Sequence, residues 1–215
     1  MNCQKADNLP LLYLSDSTSW LQYLSSAHQA GWAPTSSELL DAHHEHEGIT
    51  VRLATSRAEV AEQWRQEGRQ AVILDLDKPQ TLPAALDGVE RVFMVTGYTA
   101  AMLYQGKIFI DAAEPAGVKF VVHLGVYSSG NDAIPHYVWH DMVETYIKAS
   151  KLAWTNLHPN VILDSVLVTE PSTIEQRSFN VMWGEAALGW VSAADIGTVA
   201  ASRRPGEARW RRLQP

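Results

Sequence analysis

AVILDLDKPQTLPAALDGVERVFMVTG, residues Ala71 to Gly97, is the stretch that decides the fold. It opens and closes on short apolar runs, Ala71–Leu74 and Val89–Val95, rich in β-branched side chains and bounded by turn formers, and each reads as a buried strand. Between them, Leu82 to Leu86 carries the spacing of a short helix, with Pro83 near its start where a missing N–H costs nothing. Strand, helix and strand in succession form the repeating unit of a parallel sheet with crossover helices.

Working outward, the same alternation continues on both sides. Ile49–Ala54, Phe120–Leu124 and Ala153–Leu157 read as further strands, and Ala58–Glu67, Ala101–Ala116 and Val138–Lys151 carry helical periodicity. Gly117 follows Ala116 as a C-terminal cap would, and Pro135 stands where a helix begins or a loop turns. Toward the N-terminus, Leu11–Leu14 is a candidate strand and Ser15–Ser19 a polar turn. No internal repeat is visible. The fold class is therefore α/β, a doubly wound parallel sheet.

Composition narrows the function. The 215 residues, 46% hydrophobic, suffice for one substantial core, and no run reaches the roughly 18 apolar residues of a membrane span. The N-terminus lacks a basic flank and apolar block, and the single cysteine, Cys3, closes no internal disulfide, so a soluble cytoplasmic protein is expected. The net charge is −7, although five of the 17 basic residues (Arg203, Arg204, Arg209, Arg211 and Arg212) crowd into the end of the chain. An acidic body repels phosphate backbones, so no nucleic-acid partner is expected for the folded part, and residues 202–215 read as a solvated basic tail.

Several blocks resemble the NmrA-like branch of the short-chain dehydrogenase superfamily. Ala71–Gly97 resembles the family's strand ending in Asp-Leu, short helix and next strand. Phe109–Ala113 with Ala116–Val122 resembles its "AAGVK" passage, Trp154–Asn160 its strand ending in "LRPN", and Gly189–Ile196 its late "WVDVRDIA" strand and helix. The resemblance covers about three quarters of the chain and implies a Rossmann-like NAD(P)-binding domain over residues 35–201. It also implies that Asp75 and Leu76 lie against the adenine, that Val95, Thr96 and Gly97 pass under the dinucleotide, and that Pro159 and Asn160 belong to the same cleft. Arg57, just past the second strand, is placed to pair with an adenosine 2′-phosphate, which favours NADP over NAD.

Two regions depart from the pattern. The glycine loop is expected around Ala30–Ser36, where Ala30-Gly31-Trp32-Ala33-Pro34 offers one glycine and adds bulk; the alternative, Leu14–Trp20, has none. Residues 1–34 therefore read as a divergent segment with a degraded phosphate loop. The chain also stops where family members continue, which implies a truncated substrate region.

Candidate chemistry lies on the helix before the last strand. The Tyr–Lys pair of short-chain dehydrogenases is missing, but His140 and Glu144, one turn apart, can face one side of a helix as an acid–base pair or simply pack there. His136 and His140, and the cluster His43, His44 and His46, provide no third fixed ligand, so no metal is expected. The expected function is an NADPH-dependent oxidoreductase of a small carbonyl, quinone or similar acceptor. The alternatives are a non-catalytic dinucleotide sensor or scaffold, and a degraded member that binds no cofactor.

Overall fold

The structure, a computed structural model, describes residues 19–24 as backbone, and residues 50–97, 99–128, 134–165, 184–185 and 187–202 in full. Six parallel strands form one sheet in the order β3-β2-β1-β4-β5-β6. They are β1 (Ser19–Leu24), β2 (Thr50–Thr55), β3 (Gln70–Ile73), β4 (Arg91–Val95), β5 (Phe120–Leu124) and β6 (Ala153–Leu157). This order is that of a dinucleotide-binding α/β sheet, with its switch point between β1 and β4. A two-stranded parallel sheet pairs β7 (Val161–Ile162) with β8 (Trp190–Val191).

The described helices are α1 (Ala58–Gln66), α2 (Leu82–Leu86), α3 (Ala101–Ala113), α4 (Pro135–Ala149) and α5 (Ala193–Ala201). α4 starts earlier than its periodicity suggests because Pro135 takes its first turn. α3 ends at Ala113, and Gly117, at φ 90°, closes the following turn, a conformation open to glycine at no steric cost.

One face of the sheet packs on α2, α3 and α4 around Met94, Phe109, Val121, Val143 and Trp154; the other packs on α1 and α5 around Leu53, Trp64, Phe93, Val122 and Ile196. The strands are apolar at consecutive positions because both of their faces are covered. At Gly106 a Cβ would stand 3.1 Å from both methyl groups of Val143, so glycine lets α3 approach α4 closely. Arg52 ties β2 to the end of α2, its Nη1 donating to the carbonyls of Ala85 (3.1 Å) and Asp87 (2.8 Å), where a helix's free carbonyls favour a cation.

The N-terminal part of the sequence reading needs correction. The first strand is Ser19–Leu24, so Ser19 opens a strand and does not end a polar turn, and a central strand of the sheet lies within residues 1–34. SWLQYL holds no valine or isoleucine and includes Ser and Gln, so it lacks the composition of the other buried strands. Leu11–Leu14, Ala30–Ser36, the histidine cluster at 43–46 and the tail beyond Ser202 lie outside the described residues.

Phe109 is fully buried at the centre of the α3 side of the core. Phe109→Ala should lower unfolding stability by about 3–5 kcal/mol. In urea titrations this will be read as a reduced midpoint at an unchanged slope.

Candidate functional site

A parallel α/β sheet binds ligands beyond the carboxyl ends of its strands, next to the switch point, so those ends define the site. β2 delivers Arg57, which forms the N-cap of α1 with an extended backbone and donates its N–H to Thr55 Oγ1 (3.3 Å). Arg57 Nη2 is buried and has no hydrogen-bond partner among the described residues. β4 delivers Val95 and Thr96, both buried, then Gly97; Thr96 Oγ1 is likewise buried without a partner. A buried donor and a buried hydroxyl left unsatisfied cost free energy, and these two stand at strand ends on either side of β1.

Asp75 and Leu76 follow β3. The Asp75 carboxylate is engaged in its own turn, accepting from the Asp77 N–H (3.0 Å) and from Lys78 Nζ (2.8 Å). The lysine hydrogen bond holds its carboxyl below the usual range, against the opposing effect of partial burial. The Leu76 side chain is buried in the core. Both residues stand at the expected edge of the sheet, but their side chains are committed to local structure.

On the other side of the switch point, α4 presents His140 and Glu144 on its buried face, as their spacing suggests. Glu144, 4% exposed, extends across to β6: Oε1 accepts from His158 Nε2 (2.6 Å), while Oε2 accepts from Asn156 Nδ2 (3.0 Å) and Lys148 Nζ (3.3 Å). Burial works to raise the Glu144 carboxyl, but the His158 hydrogen bond and the nearby Lys148 charge prevail and hold it below its ordinary value. The carboxylate also needs Gly125, just past β5, because a Cβ there would stand 2.5 Å from Glu144 Oε1.

Two histidines lie behind this group. His123 on β5 is fully buried and His140 nearly so, their ring centroids 5.6 Å apart. Burial pushes His123 down to about 3, aided by the neighbouring His140, and pushes His140 down to about 4 despite the Glu144 charge. Both rings are therefore neutral at physiological pH.

A pocket of about 580 Å³ opens at the carboxyl end of β6, walled by His158, Pro159 and Asn160 on one side and by Trp190 and Ile196 on the other, with Tyr127 at its rim. Asn160 and Pro159 thus share a cavity with Trp190 and Val191 of β8. His158 and Asn156, neither singled out from the sequence, complete the Glu144 group. His158 carried one faint signal, a histidine where arginine is commoner in that pattern. Among the described residues no three His, Cys, Asp or Glu side chains stand together to hold a metal ion.

Comparison with known proteins fixes the lineage. Residues 34–202 match the model of a family described as NAD(P)H-binding. This chain belongs to that NAD(P)H-binding family. It is also similar to an NAD(P)H azoreductase of Xenophilus azovorans, 32% identical over 149 residues, 68% of this chain and 52% of the relative. The chain thus spans about half the length of that curated relative. Among solved structures, it superposes on the Citrobacter sp. triphenylmethane reductase complexed with NADP(H) at a TM-score of 0.69 and 19% identity, covering 84% of this chain and 64% of the other. A quinone oxidoreductase of Escherichia coli complexed with NADPH gives a TM-score of 0.70 at 19% identity, covering 89% and 66%. At that identity these two likenesses establish the fold, a Rossmann-like NAD(P)-binding sheet. Among the described residues no helix is long and apolar enough to cross a membrane.

The buried histidines set a pH signature on this family member's stability. The unfolded chain titrates them near 6.5 and the fold holds them near 3 and 4, so stability is full above pH 6.5 and falls as pH drops below it. Each contributes a slope of up to about 1.4 kcal/mol per pH unit. Glu144 adds its own loss lower down, as pH falls through its depressed pKa below 4.5. Urea unfolding at pH 7.5, 6 and 5 should show this decline, and His123→Leu should flatten it between pH 6.5 and 5 by about 2 kcal/mol. An equal slope in that variant would show that His123 is not the titrating group.

Proposed function

We propose that this chain is an NmrA-like, NADPH-preferring oxidoreductase acting on a small carbonyl, quinone or similar acceptor. The observation that carries the reading is the pair of orphaned polar atoms, Arg57 Nη2 and Thr96 Oγ1, at the carboxyl ends of β2 and β4. They fit a dinucleotide: Arg57 would hold the adenosine 2′-phosphate, and Thr96 with Val95 and Gly97 would run beneath the pyrophosphate and nicotinamide ribose. The cofactor, when bound, supplies hydride chemistry; the chain supplies position and electrostatics. Pro159 and Asn160 would border the nicotinamide end, and the pocket beside them would take the acceptor. Azoreductase, triphenylmethane reductase and quinone oxidoreductase activities among the relatives support this class of acceptor. A cytoplasmic location belongs to the same proposal.

A second reading, a dinucleotide sensor without turnover, is favoured by the missing Tyr–Lys pair on α4, whose sequence PHYVWHDMVETYIKA places no lysine one turn after a tyrosine. Calorimetric titration with NADPH and NADH, followed by turnover assays, separates the two readings. Binding without reduction of any acceptor selects the sensor, and no binding of either cofactor rejects both.

Cofactor choice is the sharper test. A charge-assisted bond from Arg57 to a phosphate contributes about 1.5–3 kcal/mol, roughly ten- to a hundredfold in affinity for NADPH over NADH. Arg57→Ala should erase that preference while leaving NADH affinity nearly unchanged. Equal affinities in the unmutated protein would reject the assignment.

A further inference from the structure

The Glu144 group has the geometry of an orienting carboxylate and a working imidazole. An ionised carboxylate only accepts hydrogen bonds, so His158 Nε2 must carry the hydrogen in its 2.6 Å bond to Glu144 Oε1, which fixes the tautomer and leaves Nδ1 as the exchangeable nitrogen. Asn156 and Lys148 hold the second carboxylate oxygen, and Gly125 keeps the niche clear, so Glu144 cannot swing away from the ring. His158 is partly exposed, its side chain 22% accessible, and it walls the 580 Å³ pocket together with Trp190 and Ile196. His140, by contrast, is buried behind the helix face. Carboxylate, imidazole and cavity stand in sequence from the interior to the ligand space.

We propose that His158 is the catalytic acid–base residue of this pocket and that Glu144 is its positioning residue. The proposal rests on the reductase reading above and names the ligand class more closely: a two-electron acceptor whose oxygen or nitrogen takes up a proton as it is reduced. Reduced nicotinamide, when bound, would supply the hydride with its electron pair and so be oxidised to the nicotinamide cation. His158, entering the step protonated on both ring nitrogens, supplies the proton: its Nδ1–H bond breaks, an O–H or N–H bond forms on the acceptor, and the ring, left neutral and still donating Nε2–H to Glu144, regains a proton from solvent.

The test uses the full chain with 15N-labelled histidine. At a pH where the His158 ring is neutral, the unmutated protein without cofactor should give the 15N shifts of the Nε2–H tautomer, and Glu144→Gln should shift them toward a mixed population. With NADPH and menadione as the probe acceptor, His158→Asn should lower kcat on the order of a hundredfold, with the NADPH dissociation constant within twofold of the unmutated protein. Glu144→Gln should also lower kcat, by about tenfold, and covers the case in which His158→Asn does not fold. An active unmutated protein with an equally active His158→Asn variant overturns this proposal and leaves the reductase reading standing. Tautomer shifts unchanged in Glu144→Gln overturn the role of Glu144. An unmutated protein that binds NADPH but reduces no menadione removes the reductase reading, and this proposal with it.

Discussion

A parallel sheet in this order is one object only because β1 hydrogen-bonds along both of its edges. Leu21 lies in register between Arg52 of β2 and Val92 of β4, and Tyr23 between Ala54 and Met94. Removing that strand would expose the facing edges of β2 and β4, with their backbone N–H and C=O groups unpaired in the middle of the core. The same pairing brings the ends of β2 and β4 to either side of β1, with Arg57 and Thr96 just past them. Sheet continuity and the placement of these two residues are thus one constraint.

Most of the sheet was legible because strands covered on both faces declare themselves by composition. Arg91–Val95 and Phe120–Leu124 are buried at every position and read as apolar runs interrupted only by Arg91 and His123. β1 was not legible for the converse reason. SWLQYL mixes Ser and Gln with bulky residues and has no β-branched aliphatic, so local pattern favoured Leu11–Leu14 instead. What makes SWLQYL a strand is its pairing with Thr50–Ala54 and Arg91–Val95, partners distant in the chain and invisible to any local window.

The site divides along the same line. Strand-end positions such as Arg57, Thr96 and Pro159 follow from topology, which the sequence pattern supplied. Glu144 was legible from its helical spacing with His140, yet the partner the fold gives it is His158, fourteen residues away across the sheet. A helix period reports neighbours on one helix and says nothing about the strand lying beneath it. Asp75 is a different case: its position was read for the adenine, and its side chain is engaged within its own turn by Asp77 and Lys78.

The small β7–β8 sheet joins two segments that line the pocket. Val161 pairs with Trp190 and Ile162 with Val191, and Asp164 Oδ2 accepts from the Ala193 N–H at 2.8 Å, so the chain leaving β6 and the chain returning to α5 are fastened side by side. Whatever runs between these fastenings begins and ends at fixed points. Closing a longer excursion costs only about 0.6 kcal/mol for each doubling of its length. Evolution can therefore lengthen, shorten or rewrite that interval without moving His158, Trp190 or the strands behind them. The interval between the fastenings is in that sense a cassette, exchangeable at two pinned ends while the strand ends stay as they are.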